Sequence, residues 1–300
     1  MIKSYLLLDV GGTQIKGSIT DDLGNIQGEL IHVSAHSRES KKVIFENFAF
    51  IIRKLMQKKK DATIVGVGMA FPGPFDYENG ISLMKGVNKY DSIYGIPIEE
   101  EMKRIIPELQ DTKFYFLHDI EAFALGESWF GEVKNEKKIL CLCLGTGTGS
   151  AFIEDKVALK EEAYGVPLNG WIYNYPYRES IIDDYLSVRG LKTISKNLFG
   201  YSLDGKELFD LCKQKDYRAL HVYREFGEDL KRCMIPFLDE FRPNAVIMGG
   251  QISKSFDYFG QKFQMECDDR NIKVYLEFET SIRAMQGIFI KIKMEERKKC

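Results

Sequence analysis

The sequence predicts an α/β protein of two domains, and three observations predict it. Its 300 residues exceed what one small core needs and suit two domains that each bury a real interior. Short apolar runs recur along the chain, each stopping at glycine or aspartate. Between them lie stretches with apolar residues at helical spacing, and alternating strands and helices make an α/β architecture.

The elements follow in order. The run at residues 5–10 meets Gly11 and Gly12 and resumes as a strand-like segment at 15–20, which reads as a β-hairpin with a glycine tip. Residues 41–57 carry Val43, Ile44, Phe48, Ile51, Ile52 and Leu55 at three- and four-residue spacing and predict an amphipathic helix. The runs at 62–70 and 113–117 end in Pro72-Gly73 and His118-Asp119, and the second is followed by a helix over 121–130. A second hairpin, akin to the first, is predicted where the run at 139–144 enters Gly145-Thr146-Gly147-Thr148-Gly149 and continues at 150–153. A helix over 220–241, a strand at 244–248 ending in Gly249-Gly250 and a helix over 281–295 complete the pattern.

In open α/β sheets the ligand lies beyond the carboxyl ends of the strands, where all five of these terminations fall. A site assembled from both halves, in a cleft, is therefore expected. The boundary is placed before the second glycine-rich hairpin, giving domains 1–117 and 118–280, with the final helix at about 281–300 packing back on the first. Lys298, Lys299 and Cys300 read as a frayed tail.

Composition narrows the function. With 44% apolar and 29% charged residues the chain is neither disordered nor membrane-embedded. A formal charge of -2 and a pI near 6.2 give no electrostatic reason to expect nucleic acid or an anionic membrane as partner. Small molecules are the expected ligands. The first apolar run meets Asp9 too early to be a signal or spanning segment. Six scattered cysteines without metal-ligand spacing read as reduced thiols, and a cytoplasmic location is expected.

Two motifs carry the chemistry. In Asp9-Val10-Gly11-Gly12-Thr13, followed by Lys16, glycines let backbone N–H groups approach a phosphate, and Asp9 at the strand end is placed to hold Mg²⁺ directly or through water. Spacing excludes both a Walker loop and a dinucleotide fingerprint. An ordinary hairpin with an acidic neighbour is the alternative. In Gly145-Thr146-Gly147-Thr148-Gly149 alternate glycines and threonine hydroxyls offer a second cradle, so that two turns can hold one polyphosphate.

Together with Pro72-Gly73, His118-Asp119, the stretch from Ala122 to Glu127, and Gly249-Gly250, these motifs stand in the order seen in ROK (repressor, ORF, kinase) proteins, which the chain resembles from about residue 5 to about 290. The resemblance implies the two-domain actin-like ATPase (ribonuclease H-like) fold and a homodimer or other homo-oligomer. It also implies phosphorylation of a hexose hydroxyl with ATP and Mg²⁺, and only eight residues precede Asp9, too few for the DNA-binding domain of the family's repressors. Asp119 would be the catalytic base; capping the helix that follows is the other role open to it. His118 stands where the family usually has asparagine.

Gly73, Asn88 and Asp119 resemble the family's sugar contacts, and Gly249 and Gly250 its adenosine-side turn; a plain loop asparagine and a plain strand-to-helix turn are the alternatives. The family's Gly-Glu-x-Gly-His sugar motif is replaced by Gly165-Val166-Pro167-Leu168-Asn169, leaving Asn169 as the polar contact, with Glu161 or Glu162 as stand-ins for the carboxylate. Asp183, with Tyr185, Ser187 and Arg189, resembles the Glu-x-x-x-Ser motif and is expected at the sugar. The zinc-binding cysteine segment is missing, its place taken by residues 173–180, so no zinc site is expected. The resemblance implies a kinase of glucokinase, N-acetylmannosamine kinase or β-glucoside kinase type, and the departures suit a substrate substituted on its anomeric side, as in β-glucosides, or a different hexose. A non-catalytic sugar- or nucleotide-binding sensor is the alternative.

Overall fold

The computed structural model describes residues 2–58 and 62–298, so Lys299 and Cys300 of the expected tail lie outside the described residues. The chain divides into two compact units, one running to Phe130 and resuming at Ser281, the other Gly131–Thr280.

The first unit begins with a meander of β1 (Ile2–Val10), β2 (Gln14–Thr20) and β3 (Ile26–Ser34). After it come α1 (Lys41–Lys58), β4 (Ala62–Phe71), a ribbon of β5 (Phe75–Asp76) and β6 (Ile81–Ser82), α2 (Ile98–Ile105), β7 (Lys113–His118) and α3 (Asp119–Phe130). The sheet order is β3-β2-β1-β4-β7, antiparallel through the meander and parallel from β1 to β7. Register places Asp9 beside Ala70 and Phe71 beside His118. The first glycine turn, Pro72-Gly73 and Asp119 therefore leave the sheet along one edge. Central β1 is buried on both faces, as a strand covered by helices on each side must be. Leu6, Leu8 and Val10 join Phe48, Ile51 and Ile52 of α1 in one core.

The second unit repeats the plan with β8 (Lys138–Leu144), β9 (Thr148–Glu154) and β10 (Val157–Leu159), then a ribbon of β11 (Pro176–Tyr177) and β12 (Ser180–Ile181). It continues through α4 (Ile182–Tyr185), α5 (Val188–Phe199), α6 (Gly205–Lys213), α7 (Tyr217–Phe241), β13 (Ala245–Gly249), α8 (Phe256–Phe259), α9 (Gln261–Asp268) and β14 (Lys273–Leu276). Its sheet, β10-β9-β8-β13-β14, has the same order of directions, with β8 antiparallel to β9 and parallel to β13. The core joins Leu140, Leu142 and Leu144 of β8 to Phe226, Leu230 and Phe237 of α7. The last helix, α10 (Thr280–Arg297), belongs to the first unit from Ser281 onward.

The division falls after Phe130, not at the expected 117/118 boundary, and the reason is how α3 is held. Helices α3 and α10 cross backbone to backbone at two glycines. A Cβ on Gly126 would lie 1.8 Å from the carbonyl oxygen of Arg283, and one on Gly287 would lie 1.7 Å from that of Ala122. Beside the crossing, Glu127 is 1% exposed and takes an ion pair from Arg283 Nε at 2.9 Å. Tyr5 of β1 packs edge-on against Phe289 of α10, ring centroids 5.3 Å apart. Gly287→Val forces the two helices apart, and chemical denaturation should show a loss of about 3 kcal/mol; a midpoint equal to that of the unsubstituted protein would contradict the close crossing.

Candidate functional site

In the first unit the site is built on the carboxyl ends of β1, β4 and β7. The turn after β1 closes through Gly11 N–H donating to the carbonyl of Gln14 at 2.9 Å, an oxygen that a Cβ on Gly11 would meet at the same 2.9 Å, too close for any side chain. Its carbonyls are held from outside: the Tyr90 hydroxyl donates to Gly11 at 2.8 Å, the Ser37 hydroxyl to Gly12 at 2.5 Å, and Ala35 N–H to Thr13 at 2.8 Å. Gly12 and Thr13 stay exposed. With its carbonyls engaged, the turn offers its amide side to an anion.

Asp9 sits beneath this turn. Burial pushes its carboxyl above the ordinary range and the nearby Asp119 adds to the rise, while the Ser281 hydroxyl and Lys16 oppose it. Lys16 Nζ donates to Ser281 Oγ at 2.7 Å. Ser281 lies in the first turn of α10, and no sequence signal singles it out, because only tertiary packing carries it to Asp9. A hydroxyl and an ammonium group thus oppose the rise at Asp9 without cancelling it.

Asp119 is the first residue of α3. Two strand spacings, about 10 Å, separate β1 from β7 across β4, so Asp119 and Asp9 stand on the same edge. Its Oδ1 accepts from the adjacent Ile120 N–H at 2.8 Å, whereas a side-chain cap serves the amides two or three residues on. The side chain is 42% exposed, and His118 Nδ1 lies 3.3 Å from Oδ1. The His118 ring also touches the open side of Gly73, 3.4 Å from where a Cβ would be, and meets Tyr77 edge-on at 5.7 Å. Asn88 is exposed and in the left-handed region, φ 58°, with its carbonyl accepting from Arg38 Nε at 3.2 Å. The next residue, Lys89, reaches to 3.5 Å from where a Cβ on Gly12 would be. The structure thus gathers Asp9, Gly11, Gly12, Thr13, Lys16, Gly73, Asn88 and Asp119 at one edge of one unit.

In the second unit the turn after β8 closes through Gly145 N–H to the Gly147 carbonyl at 3.0 Å, and Val188 N–H donates to the Gly145 carbonyl at 2.9 Å. Thr146 and Gly147 are exposed, and Gly149 follows in β9. The Thr148 hydroxyl donates to the Leu186 carbonyl at 3.0 Å. Gly250, at φ 89°, lies against the end of β8: a Cβ there would meet the Leu144 carbonyl at 2.4 Å. The Ser253 hydroxyl holds the Gly249 carbonyl at 2.7 Å.

Asp183, expected at the sugar, has both carboxylate oxygens engaged by protein groups. One oxygen accepts Thr148 N–H at 2.6 Å and the other is paired with Arg189. Both lie at the second glycine turn, because α4 tucks this carboxylate under Gly147. Arg189 also reaches Asp184 at 3.2 Å and the Thr146 carbonyl at 3.5 Å. Asn169 is half-buried at φ 58°, in a loop tied to β9 by the Ser150 hydroxyl donating to the Gly170 carbonyl at 2.6 Å. Glu161 and Glu162 are exposed.

Known proteins bear on this arrangement. The model described as "ROK family" matches residues 5–163. N-acetyl-D-glucosamine kinase of Vibrio atlanticus is 25% identical over 267 residues, covering 83% of this chain and 84% of its own. Glucokinase of Thermotoga maritima is 26% identical over 270 residues, covering 83% and 82%. Among solved structures, the ROK hexokinase from Thermus thermophilus aligns with a TM-score of 0.78 at 18% identity, over 98% of this chain and 99% of its own. A ROK family glucokinase from Streptomyces griseus, in complex with glucose and AMPPNP, aligns with a TM-score of 0.72 at 17% identity, over 97% and 99%. The likeness in structure shows the fold, the actin-like one expected from the sequence.

Tyr90 is fully buried, and its phenol is pushed up, first by burial and then by Asp9. Tyr90→Phe removes only the bond to the Gly11 carbonyl and should cost about 1 kcal/mol in urea denaturation. A variant as stable as the parent would show that the phenol does not brace the turn.

Proposed function

The chain belongs to the ROK family, and on that premise we propose that it is an ATP-dependent sugar kinase acting on a hydroxyl of a hexose or hexose derivative. The observation that carries this reading is Asp119, a carboxylate at the helix start with its side chain open to solvent, on the same sheet edge as Asp9 and the first glycine turn. Relatives named for N-acetyl-D-glucosamine and for glucose phosphorylation support a kinase over a non-catalytic sensor. They also leave the hexose class broad, in keeping with the altered stretch from Val166 to Asn169.

In this reading Asp119 takes the proton from the sugar hydroxyl as that oxygen attacks the γ-phosphorus. The bond from phosphorus to the β–γ bridging oxygen breaks, ADP leaves, and the sugar carries the phosphoryl group. Backbone amides at Gly12 and Thr13 in the first unit, and at Thr146 and Gly147 in the second, bind phosphate oxygens; Gly11, Gly145 and Gly149 shape the two turns, and Lys16 adds positive charge near the first. Gly249 and Gly250 leave room for the adenosine side. Gly73, Asn88 and Asn169 orient the sugar. Asp183 is assigned to the phosphate turn.

Among the described residues no group of three or more His, Cys, Asp or Glu side chains could hold a metal by itself. A half-buried carboxylate at a strand end beside a glycine turn fits Mg²⁺, which is commonly held by one or two carboxylates together with substrate phosphates. Asp9 would hold it, directly or through water, and the ion would supply charge neutralisation on the phosphates. We further place the protein in the cytoplasm as a homodimer or other homo-oligomer. The five described cysteines are free thiols, and among the described residues no helix is long and apolar enough to cross a membrane.

A screen of ATP consumption over hexoses, N-acetylhexosamines and glycosides should find a sugar-dependent activity. Asp119→Asn should lower kcat by about a thousandfold while leaving AMPPNP affinity within about threefold. Undiminished turnover in that variant would remove Asp119 from the mechanism. Chelation of divalent ions should abolish turnover and added Mg²⁺ restore it; full activity in excess chelator would rule out the role given to Asp9.

A further inference from the structure

The second glycine turn is held by a chain of contacts that runs back to α7. Asp229 of α7 is 4% exposed, and burial raises its carboxyl above the ordinary range. One of its oxygens takes both the Tyr177 hydroxyl, at 2.9 Å, and the Arg178 guanidinium. Arg178 occupies the tip of the β11–β12 ribbon in the left-handed region, φ 50°, a conformation that a non-glycine residue holds only when its surroundings fix it. Its guanidinium lies over two rings, Tyr177 at 5.2 Å and Tyr185 at 5.4 Å, which meet edge-on at 5.0 Å.

Tyr185 ends α4, and α4 is fastened to the stretch before the ribbon by Ile182 N–H to the Tyr175 carbonyl and Asp183 N–H to the Tyr173 carbonyl, both at 2.9 Å. Ribbon and helix therefore move together. The same α4 carries Asp183, whose carboxylate accepts the Thr148 amide at 2.6 Å.

The geometry points to Arg178 and Asp229 as positioning residues for the nucleotide: their ion pair, clasped between Tyr177 and Tyr185, sets α4 and through Asp183 the shape of the turn at Gly147-Thr148. The consequence for ATP rests on the kinase reading; the consequence for the Thr148 amide does not. A buried carboxylate holds a ribbon through a planar, two-sided cation, so lysine can supply the charge but not the stacking on both rings.

The test uses the full chain, with steady-state kinetics beside hydrogen exchange at the Thr148 amide. Arg178→Ala should raise KM for ATP about tenfold, with kcat and the sugar KM within about twofold, and should speed Thr148 exchange by a similar factor. Arg178→Lys should recover part of both. If Arg178→Ala does not fold, Arg178→Lys and Asp229→Asn are read in its place, each expected at about threefold. Tyr223→Phe, which loses bonds to Ser255 and the Gly205 carbonyl elsewhere in the unit, should lower the thermal midpoint without moving KM or exchange. Variants at Arg178 or Asp229 that, like this control, change the midpoint alone would overturn the inference. A parent protein that consumes no ATP would count against the kinase reading, and Thr148 exchange would still decide the positioning role.

Discussion

The close crossing of α3 and α10 is the constraint on which the first glycine turn depends. Two helices carrying ordinary side chains pack with axes about 8–10 Å apart, but at Gly126 and Gly287 the backbones touch with no room for a Cβ. That approach fixes two helix starts at once. Asp119 opens α3 at the end of β7, and Ser281 in the first turn of α10 reaches Lys16 and Asp9. A buried carboxylate close to a second one tends to take up a proton. Here one opposing group, Lys16, follows the turn in β2, and the other, Ser281, comes from a helix that sequence separates from it by almost the whole chain.

The two units share a strand order but stabilise their glycine turns in opposite ways. In the first, the protein donates to the turn's carbonyls through Tyr90, Ser37 and Ala35, leaving the amide side for a ligand. In the second, a carboxylate accepts one of the turn's amides at Thr148, so an acidic group lies directly under the turn. Arg189 offsets it on the other oxygen of Asp183. Such a pairing fixes the geometry of the turn with a charge-assisted hydrogen bond.

Much of this was legible in the sequence because turn chemistry is local. Glycine or aspartate at the end of an apolar run marks a strand terminus whatever surrounds it, and all five runs so marked are strands. The helix over 41–57 was legible from its spacing, which leaves Ile44, Phe48, Ile51, Ile52 and Leu55 buried. What escaped is tertiary. The boundary at 117/118 failed because α3 owes its place to a glycine far down the chain. The spacing of Asp183 to Ser187 fits a motif, but only the packing of α4 against the turn shows that its oxygens meet Thr148 and Arg189. Ser37, Tyr90 and Ser281 are ordinary residues in sequence, and nothing but their contacts marks them. Edge strand β14, four residues long, is too short to show a period.

The return of the last helix to the first unit has a consequence for biosynthesis. Domains form as cooperative units, and the ribosome delivers the chain from its amino end at about 5–20 residues per second. The sheet of the first unit is complete once β7 has emerged, but the surface of α3 meant for Gly287 stays bare until the whole intervening unit has been translated. The earlier-made unit is thus the later one to finish, and for several seconds the nascent protein presents an apolar seam that chaperones, or its own unfinished copies, can reach.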